Sequence, residues 1–553
     1  MRIVAVALLC AAAVACTALA APLPAPGAHL ITCASARVER DYQEGLRLYH
    51  LGNTEAAIRR LQEVVKRDPG CAMGYMVLSR AQERAGQHAE ALASLAKAEG
   101  LAGEADDREQ RFISAWGKML KAPAAEAERG KALAPVRGEL DRALAVYPDD
   151  PELWLLRGDA AESPLRATPF YLAALRVQPG HPFGSRWQPK APPCPELTPA
   201  PTQPVAAPKS TPPLFEGLGK LSHPILTKSP EAQAYYEQGL RLFHAYVTPM
   251  QVKNSAAQCF QYAASLDPDC AMAYWGLSLI PESPAPMKQL DAANRALELA
   301  IKNGSDKERR FATARILQLS GNQKQEEFFD ALDGAIAAYP DDVELWIWRG
   351  WSYANARAAS PGNWPAAIVF QQAAHRIQPE HPAPNHEMVH GYEALQLPAL
   401  GWPYAEGFRD SAPNLPHANH MQAHLAMRLG RWREAVEGGR TARKRALAGF
   451  PELDPSHHID IMVRALGHEG LFREAEAEPK AYREGLPWAR LLQLKAVPEE
   501  LAAWAERRSE RNAPDGYYIG AVLKLDANDL PGAEPLVAKV EEQWKKSSVN
   551  PNL

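Results

Sequence analysis

Apolar and small residues recur along this chain at spacings of three and four, and the period-two alternation of a half-buried strand is weak everywhere. The pattern predicts helices in hairpins. Gly45 stands in a first helix, Ala57 and Leu61 in a second, and Pro69 ends it. Small residues are needed where two antiparallel helices cross closely, large ones fill the gap to the next pair, and proline stops a helix because it lacks a donor. Ala91, Leu95 and Ala98 repeat the second-helix part, as do Ala256, Phe260, Ala263 and Pro268. The tail after Phe472, with LPWARLLQL and YYIGAVLKL, also reads as helical and is expected to cap the array.

A larger repeat encloses these units. YQEGLRLYH at Tyr42 returns as YEQGLRLFH at Tyr236, and DPGCAMGYM at Asp68 returns as DPDCAMAYW at Asp267. DDREQRFI at Asp106, YPDDPELWLLRG at Tyr147 and QPGHP at Gln178 return at Ser305, Tyr339 and Gln378. Order and spacing are kept, which is an internal duplication. The hairpin pattern is that of the tetratricopeptide repeat, about 34 residues long. The expected fold is therefore all-α, a tetratricopeptide-like helical-hairpin solenoid in two duplicated lobes. The organisation read from the sequence is an N-terminal lobe over 33–187, a proline-rich linker over 188–213, a C-terminal lobe over 214–475 and capping helices over 476–553. Ten prolines between Pro189 and Pro213 give the linker its extended, polyproline-type character.

Composition bounds the rest. The chain has 553 residues, 46% hydrophobic and 23% charged, which excludes disorder throughout. A net charge of -4 carries no basic excess that would advertise a nucleic-acid partner. Residues 1–20 begin with Arg2 and an apolar core and end in Ala18-Leu19-Ala20, the form of a signal peptidase site. Export to the periplasm or beyond the cell is expected, with no transmembrane span in the mature chain; the alternative is a lipoprotein attached through Cys16. Cleavage leaves Cys33, Cys71, Cys194, Cys259 and Cys270, an odd number. Pairs Cys33–Cys71 and Cys259–Cys270 and buried free thiols are both open readings.

Candidate chemistry concentrates in histidine. Ten of the sixteen histidines fall between His375 and His468. His386, His390 and Glu393 share one helical face, and His417, His420 and His424 share another. His386 to His420, His390 to His424 and His424 to His458 are each 34 residues, one repeat unit, and Asp454 follows His420 by the same step. First helices of successive repeats lie side by side on the concave surface, so the spacing predicts one patch drawn from three helices. Imidazoles and a carboxylate suit a transition metal (zinc, copper, nickel or iron) better than magnesium or calcium. The other reading is a hydrogen-bonded polar layer lining the groove. His457 beside His458 is an alternative ligand, because helix ends drift by a residue or two.

His386-Glu387-xx-His390 fits HExxH letter by letter, but such matches are common by chance and stacked helix pairs are unlike a protease cleft. Trp275, Trp346, Trp348 and Trp351 read as repeat packing, with an aromatic wall for a ligand as the sharper alternative. No phosphate-binding glycine loop and no GxSxG occurs.

From Leu214 to about Ala475 the chain resembles a family of exported bacterial tetratricopeptide-repeat proteins, largely uncharacterised. The likeness rests on LGKLSHPILTKSPEAQAYYEQGLRLF, LDPDCAMAYWG, SDKERRF, YPDDVELW, HPAPNHEMVHGYEA and APNLPHANHMQAHLAMRLGRWREA. The family's HPGAxHYxIHAxE and HxxHMPSHIYxRxGRW patterns place histidines or glutamate at 386, 390, 393, 417, 420 and 424. Two departures stand out: Thr248 replaces the histidine of an AFNH-type segment, and Pro281-Glu282-Ser283-Pro284 replaces an asparagine-rich one. The resemblance implies fold and compartment and no established reaction. The functional expectation is a groove that binds a peptide, protein or small ligand beside a metal site at His386, His390, Glu393, His417, His420, His424 and His458. The alternative is a metal-dependent hydrolase or oxidoreductase using the same cluster.

Overall fold

The structure is a computed structural model and describes residues 31–244, 251–280, 287–354, 363–449, 456–480 and 498–546. The signal-type tract 1–20 with Cys16, Thr248, residues 281–284, Asp454 and the LPWARLLQL segment lie outside the described residues, as do the side chains of His457 and His458.

The chain divides into two compact units, Met1–Pro189 and Lys190–Leu553. The first holds four helical hairpins: α1 (Ala36–His50) with α2 (Thr54–Arg67), α3 (Ala72–Arg84) with α4 (His88–Leu101), α5 (Asp107–Leu120) with α6 (Glu126–Val146), and α7 (Pro151–Asp159) with α8 (Pro164–Val177). The second repeats them as α9 (Pro230–Phe243) with α10 (Gln251–Leu266), α11 (Ala271–Leu279) with α12 (Gln289–Lys302), α13 (Asp306–Leu319) with α14 (Gln325–Ala338), and α15 (Val343–Ala354) with α16 (Trp364–Ile377). It continues with α17 (Pro382–Ala394) and α18 (Pro398–Ser411), α19 (Pro416–Arg428) and α20 (Trp432–Gly449), α21 (Ser456–His468) and α22 (Phe472–Lys480). Three further helices follow, α23 (Pro498–Glu510), α24 (Pro514–Asp526) and α25 (Leu530–Lys546). No strand occurs among the described residues, and the all-α hairpin solenoid is the observed fold.

The helices begin and cross as the residues dictate. Asp106 and Glu109 form a capping box at α5, and Ser305 and Glu308 form the same box at α13. Ser163 and Ser229 cap helices whose next residue is proline, where its missing N–H costs nothing. The first hairpin of each unit closes tightly on a glycine. A Cβ on Gly45 would lie 2.8 Å from Leu61 Cδ2, and one on Gly239 would lie 2.6 Å from Phe260 Cε1. Ala57, Leu61, Ala256, Phe260 and Ala263 are all buried at these crossings.

Helices touch their chain neighbours, and the first helices of successive hairpins also touch one another. Thus α1 meets α3, α3 meets α5, α9 meets α11, α11 meets α13, α17 meets α19 and α19 meets α21. This is the stacking of a solenoid. The tail helices extend the same core: Leu501, Ala505 and Ile519 join Ile461, Met462, Leu466 and Ala423 in one buried cluster.

The proline-rich tract is extended and lies on the second unit. Arg310 donates to the Pro192 carbonyl (2.8 Å), Gln261 to Ala206 (2.6 Å) and Gln238 to Pro213 (2.7 Å), while Ala200 N–H donates to Asn294 Oδ1 (2.8 Å). Prolines leave carbonyls without neighbouring N–H groups, and side chains of α9, α10 and α13 take them up. Cys33, Cys71, Cys194, Cys259 and Cys270 are all free thiols, and neither pairing considered from the sequence is formed. Burial raises Cys71 and Cys270 to about 12, so both stay protonated.

Candidate functional site

Helices α17 and α19 pack side by side and bring the predicted histidines together. His386 Nε2 lies 3.0 Å from His417 Nε2, and His420 Nε2 lies 2.9 Å from His424 Nε2. The rings of His390 and His424 are 5.6 Å apart, those of His386 and His390 4.7 Å, and those of His417 and His420 5.3 Å and stacked. Five imidazoles therefore form one contiguous cluster. His386, His417 and His420 are buried, while His390 and His424 reach solvent at the other end. His390 meets His424 as the 34-residue step predicts. His386 instead meets His417, one turn before its repeat equivalent His420.

Carboxylates fix the ring orientations. Glu387 Oε1 lies 3.3 Å from His386 Nδ1, which turns Nε2 of that ring toward His417. The glutamate of the HExxH letters thus orients a ring. Glu393 holds the exposed end, 3.2 Å from His424 Nδ1, 2.9 Å from Arg428 Nε and 3.9 Å from His390 Nδ1. Burial would raise its pKa, but the hydrogen bonds and charges of His424 and Arg428 hold it at about 2.

The donor set fits a metal. One nitrogen from each of His386, His390 and His417 lies within 4.8 Å of the others. Two imidazole nitrogens on a tetrahedral ion stand roughly 3.3 Å apart, given bonds of about 2.0–2.1 Å. The 3.0 Å between His386 and His417 needs a shift of only a few tenths of an ångström. Helix α21, which carries His458, packs beside α19.

A second constellation has no counterpart in the sequence reading. Glu152 Oε1 lies 2.7 Å from His50 Nε2 and 3.0 Å from His181 Nε2, all three buried. In the second unit Glu344 lies 3.1 Å from His244 Nε2 and 3.0 Å from His381 Nε2, again fully buried. These are the same positions of the duplicated segments. Each triad joins the start of a four-hairpin set to its end, since His50 and Glu152 are 102 residues apart. The signal was present in the repeated segments LYH/LFH, PELW/VELW and QPGHP/QPEHP, each of which keeps its histidine or glutamate. Burial pushes Glu152 and Glu344 upward, but the imidazoles that bond them outweigh it and hold both well below the usual range.

Fold and repeat geometry define a tetratricopeptide-type helical repeat protein. Residues 42–106 match the tetratricopeptide repeat family. Among curated proteins none matches. Solved structures similar to the chain include yeast Tom70 (13% identity, 92% of each chain, TM-score 0.30). The Cut9–Hcn1 hetero-tetramer of the APC/C is similar at 13% identity, over 92% of this chain and 96% of that one, TM-score 0.34. The human IFIT1 dimer with m7Gppp-AAAA is similar at 12% identity, over 93% and 96%, TM-score 0.31. Similarity at that level is loose, and the fold assignment rests on the hairpins themselves. Among the described residues no helix is long and apolar enough to cross a membrane.

Proposed function

We propose that this chain is a binding scaffold whose second unit takes a peptide or protein on its repeat surface and holds a transition metal in the histidine cluster. Stacked hairpins supply an extended surface suited to a partner. The single observation that carries the metal reading is the approach of His386, His390 and His417, with Glu387 behind the first ring. His420, His424 and Glu393 complete the donor set toward solvent, where a ligand side chain could join the ion, and His458 is the further ligand from α21. We place this function outside the cytoplasm, on the signal-type segment at residues 1–20.

Elemental analysis of protein purified without a histidine tag is the test. About one equivalent of zinc, copper, nickel or iron is expected, and His390→Ala with His417→Ala should remove it. A metal-free protein whose double variant binds its partners as before would make the cluster a polar layer in the groove.

A further inference from the structure

The second unit contains a cavity of about 430 Å³ lined by Phe243, Leu279, Arg315, Phe328, Trp348 and Trp351. Its origin is visible in the duplication. In the first unit the position of Leu279 is Arg80, that of Trp351 is Asp159, and that of Arg315 is Trp116. There Arg80 is buried between two carboxylates, 3.5 Å from Glu152 and 3.0 Å from Asp159, under the rings of Tyr49, Phe112 and Trp116. Trp116 Nε1 donates to Ser79 Oγ at 3.0 Å. In the second unit Arg315 takes the tryptophan's place and donates through Nε to the equivalent serine, Ser278, at 3.3 Å. The cation has thus moved from one helix to another, and a tryptophan stands where one of its two carboxylates would be.

Arg315 is only 8% exposed. Its acceptors are the carbonyl and hydroxyl of Ser278 and the side-chain oxygen of Gln318, all neutral. Among the described residues no carboxylate pairs with it. A guanidinium remains charged at neutral pH, and a buried charge without a counter-ion is costly. Burial lowers Arg315 to about 10. Aromatic rings form one part of the lining and Gln289, Gln318, Asn322 and Gln325 another: Trp348 lies 5.7 Å from Phe328, and Trp351 meets Phe243 at 5.5 Å, while Trp275 and Phe311 back Trp348 at 5.7 and 6.2 Å.

We propose that this cavity binds a small organic carboxylate with an aromatic or branched apolar body, its carboxylate on Arg315 and its body against Trp348 and Trp351. The volume falls in the range of small-molecule sites, about 300–1,000 Å³. A single guanidinium matches one carboxylate in a two-point fork. The site stands apart from the histidine cluster and does not depend on metal.

The test uses the full chain without a tag, titrated with phenylacetate, with uncharged phenylacetamide, and with a pentapeptide ending in Phe with a free carboxylate, read by tryptophan fluorescence and calorimetry. Saturable phenylacetate binding is expected, at least about tenfold tighter than phenylacetamide, because the charge-assisted bond is lost in the amide. Peptide binding in place of the free acid supports the site with a chain terminus as its source. Arg315→Met should weaken the acid at least about tenfold while the unliganded protein melts no lower, since an uncompensated buried charge is removed. Leu279→Arg with Trp351→Asp refills the space as in the first unit and should abolish binding with circular dichroism unchanged. Equal binding of acid and amide, undiminished binding by Arg315→Met, or no saturable binding of either carboxylate at millimolar concentration would overturn the proposal.

Discussion

The two units share a skeleton down to individual bonds. Arg157 pairs with buried Asp141 at 2.7 Å in one, and Arg349 with buried Asp333 at 2.8 Å in the other. Trp154 Nε1 donates to the Pro148 carbonyl, and Trp346 Nε1 to Pro340, both at 2.8 Å. Both keep the His–Glu–His triad. They differ in what lies beside it. The first unit fills that space with Arg80 and closes it with Asp159, while the second leaves a cavity with Arg315 among its lining residues. Conserved backbone geometry leaves the charge arrangement free to change, because three side chains decide whether the interior is an ion-paired core or a chamber.

The largest expected effect tests this directly. Arg80→Met strands buried Glu152 and leaves the more exposed Asp159 unpaired, and should cost about 3–5 kcal/mol in chemical denaturation, whereas Arg315→Met should cost nothing measurable. Equal losses at the two sites would erase the distinction. Glu152→Gln removes a counter-ion of Arg80, and Glu344→Gln leaves only imidazoles behind. The first should cost about 1 kcal/mol or more beyond the second, read by native-state hydrogen exchange of α7 against α15.

Acid separates the units by a smaller margin. Burial lowers the pKa of His50 below 6.5 despite Glu152, so the unfolded chain takes up that proton first. The first unit therefore loses stability as pH falls through about 6.5, and the lowered Glu152 extends the loss below 4.5. Around its triad the second unit carries the same acid-side terms in His381 and Glu344, plus one of opposite sign, while His375 in α16, lowered to about 4 by burial, adds an acid-side loss away from the triad. In His223, burial is outweighed by Asp342 and Glu344 against the opposing Lys307, and its pKa is raised. Its contribution is complete below 6.5 and is lost as pH rises through the folded pKa. Hydrogen exchange between pH 7 and about 5 should show α1 and α7 losing protection ahead of α9 and α15. Simultaneous loss would cancel the His223 contribution.

The smallest difference between the units concerns the shared crossings. Gly45→Ala and Gly239→Ala should each cost about 1–3 kcal/mol, with Gly239 the worse because its Cβ meets a rigid ring where Gly45 meets a leucine. Thermal melts of the two variants give the ranking.

Much of the fold was legible beforehand. Gly45, Ala57, Leu61 and Pro69 specify a hairpin because helix crossing distance and termination are local matters. The histidine patch was legible for the same reason: a step of one repeat brings α17 beside α19, so spacing stands in for distance. The His386–His417 contact departs from that register by one turn, which spacing alone does not resolve. The His–Glu–His triads escaped because their members are scattered over more than a hundred residues and none forms a local motif. Their sequence trace was repetition between lobes. Trp348 and Trp351 line the cavity, whereas Trp346 is a packing residue against Phe370, a division that follows from where α15 faces its neighbours.

By itself the sequence determined the helical hairpins, their tandem order and the doubling of the set, since helix period, caps and breakers act over a few residues and a duplication is written in the letters. Only the tertiary structure decided which distant charges meet. Whether Arg80 or Arg315 finds a carboxylate depends on the closure of four hairpins upon one another, and an ion pair acts over a few ångströms of space whatever the length of chain between its partners.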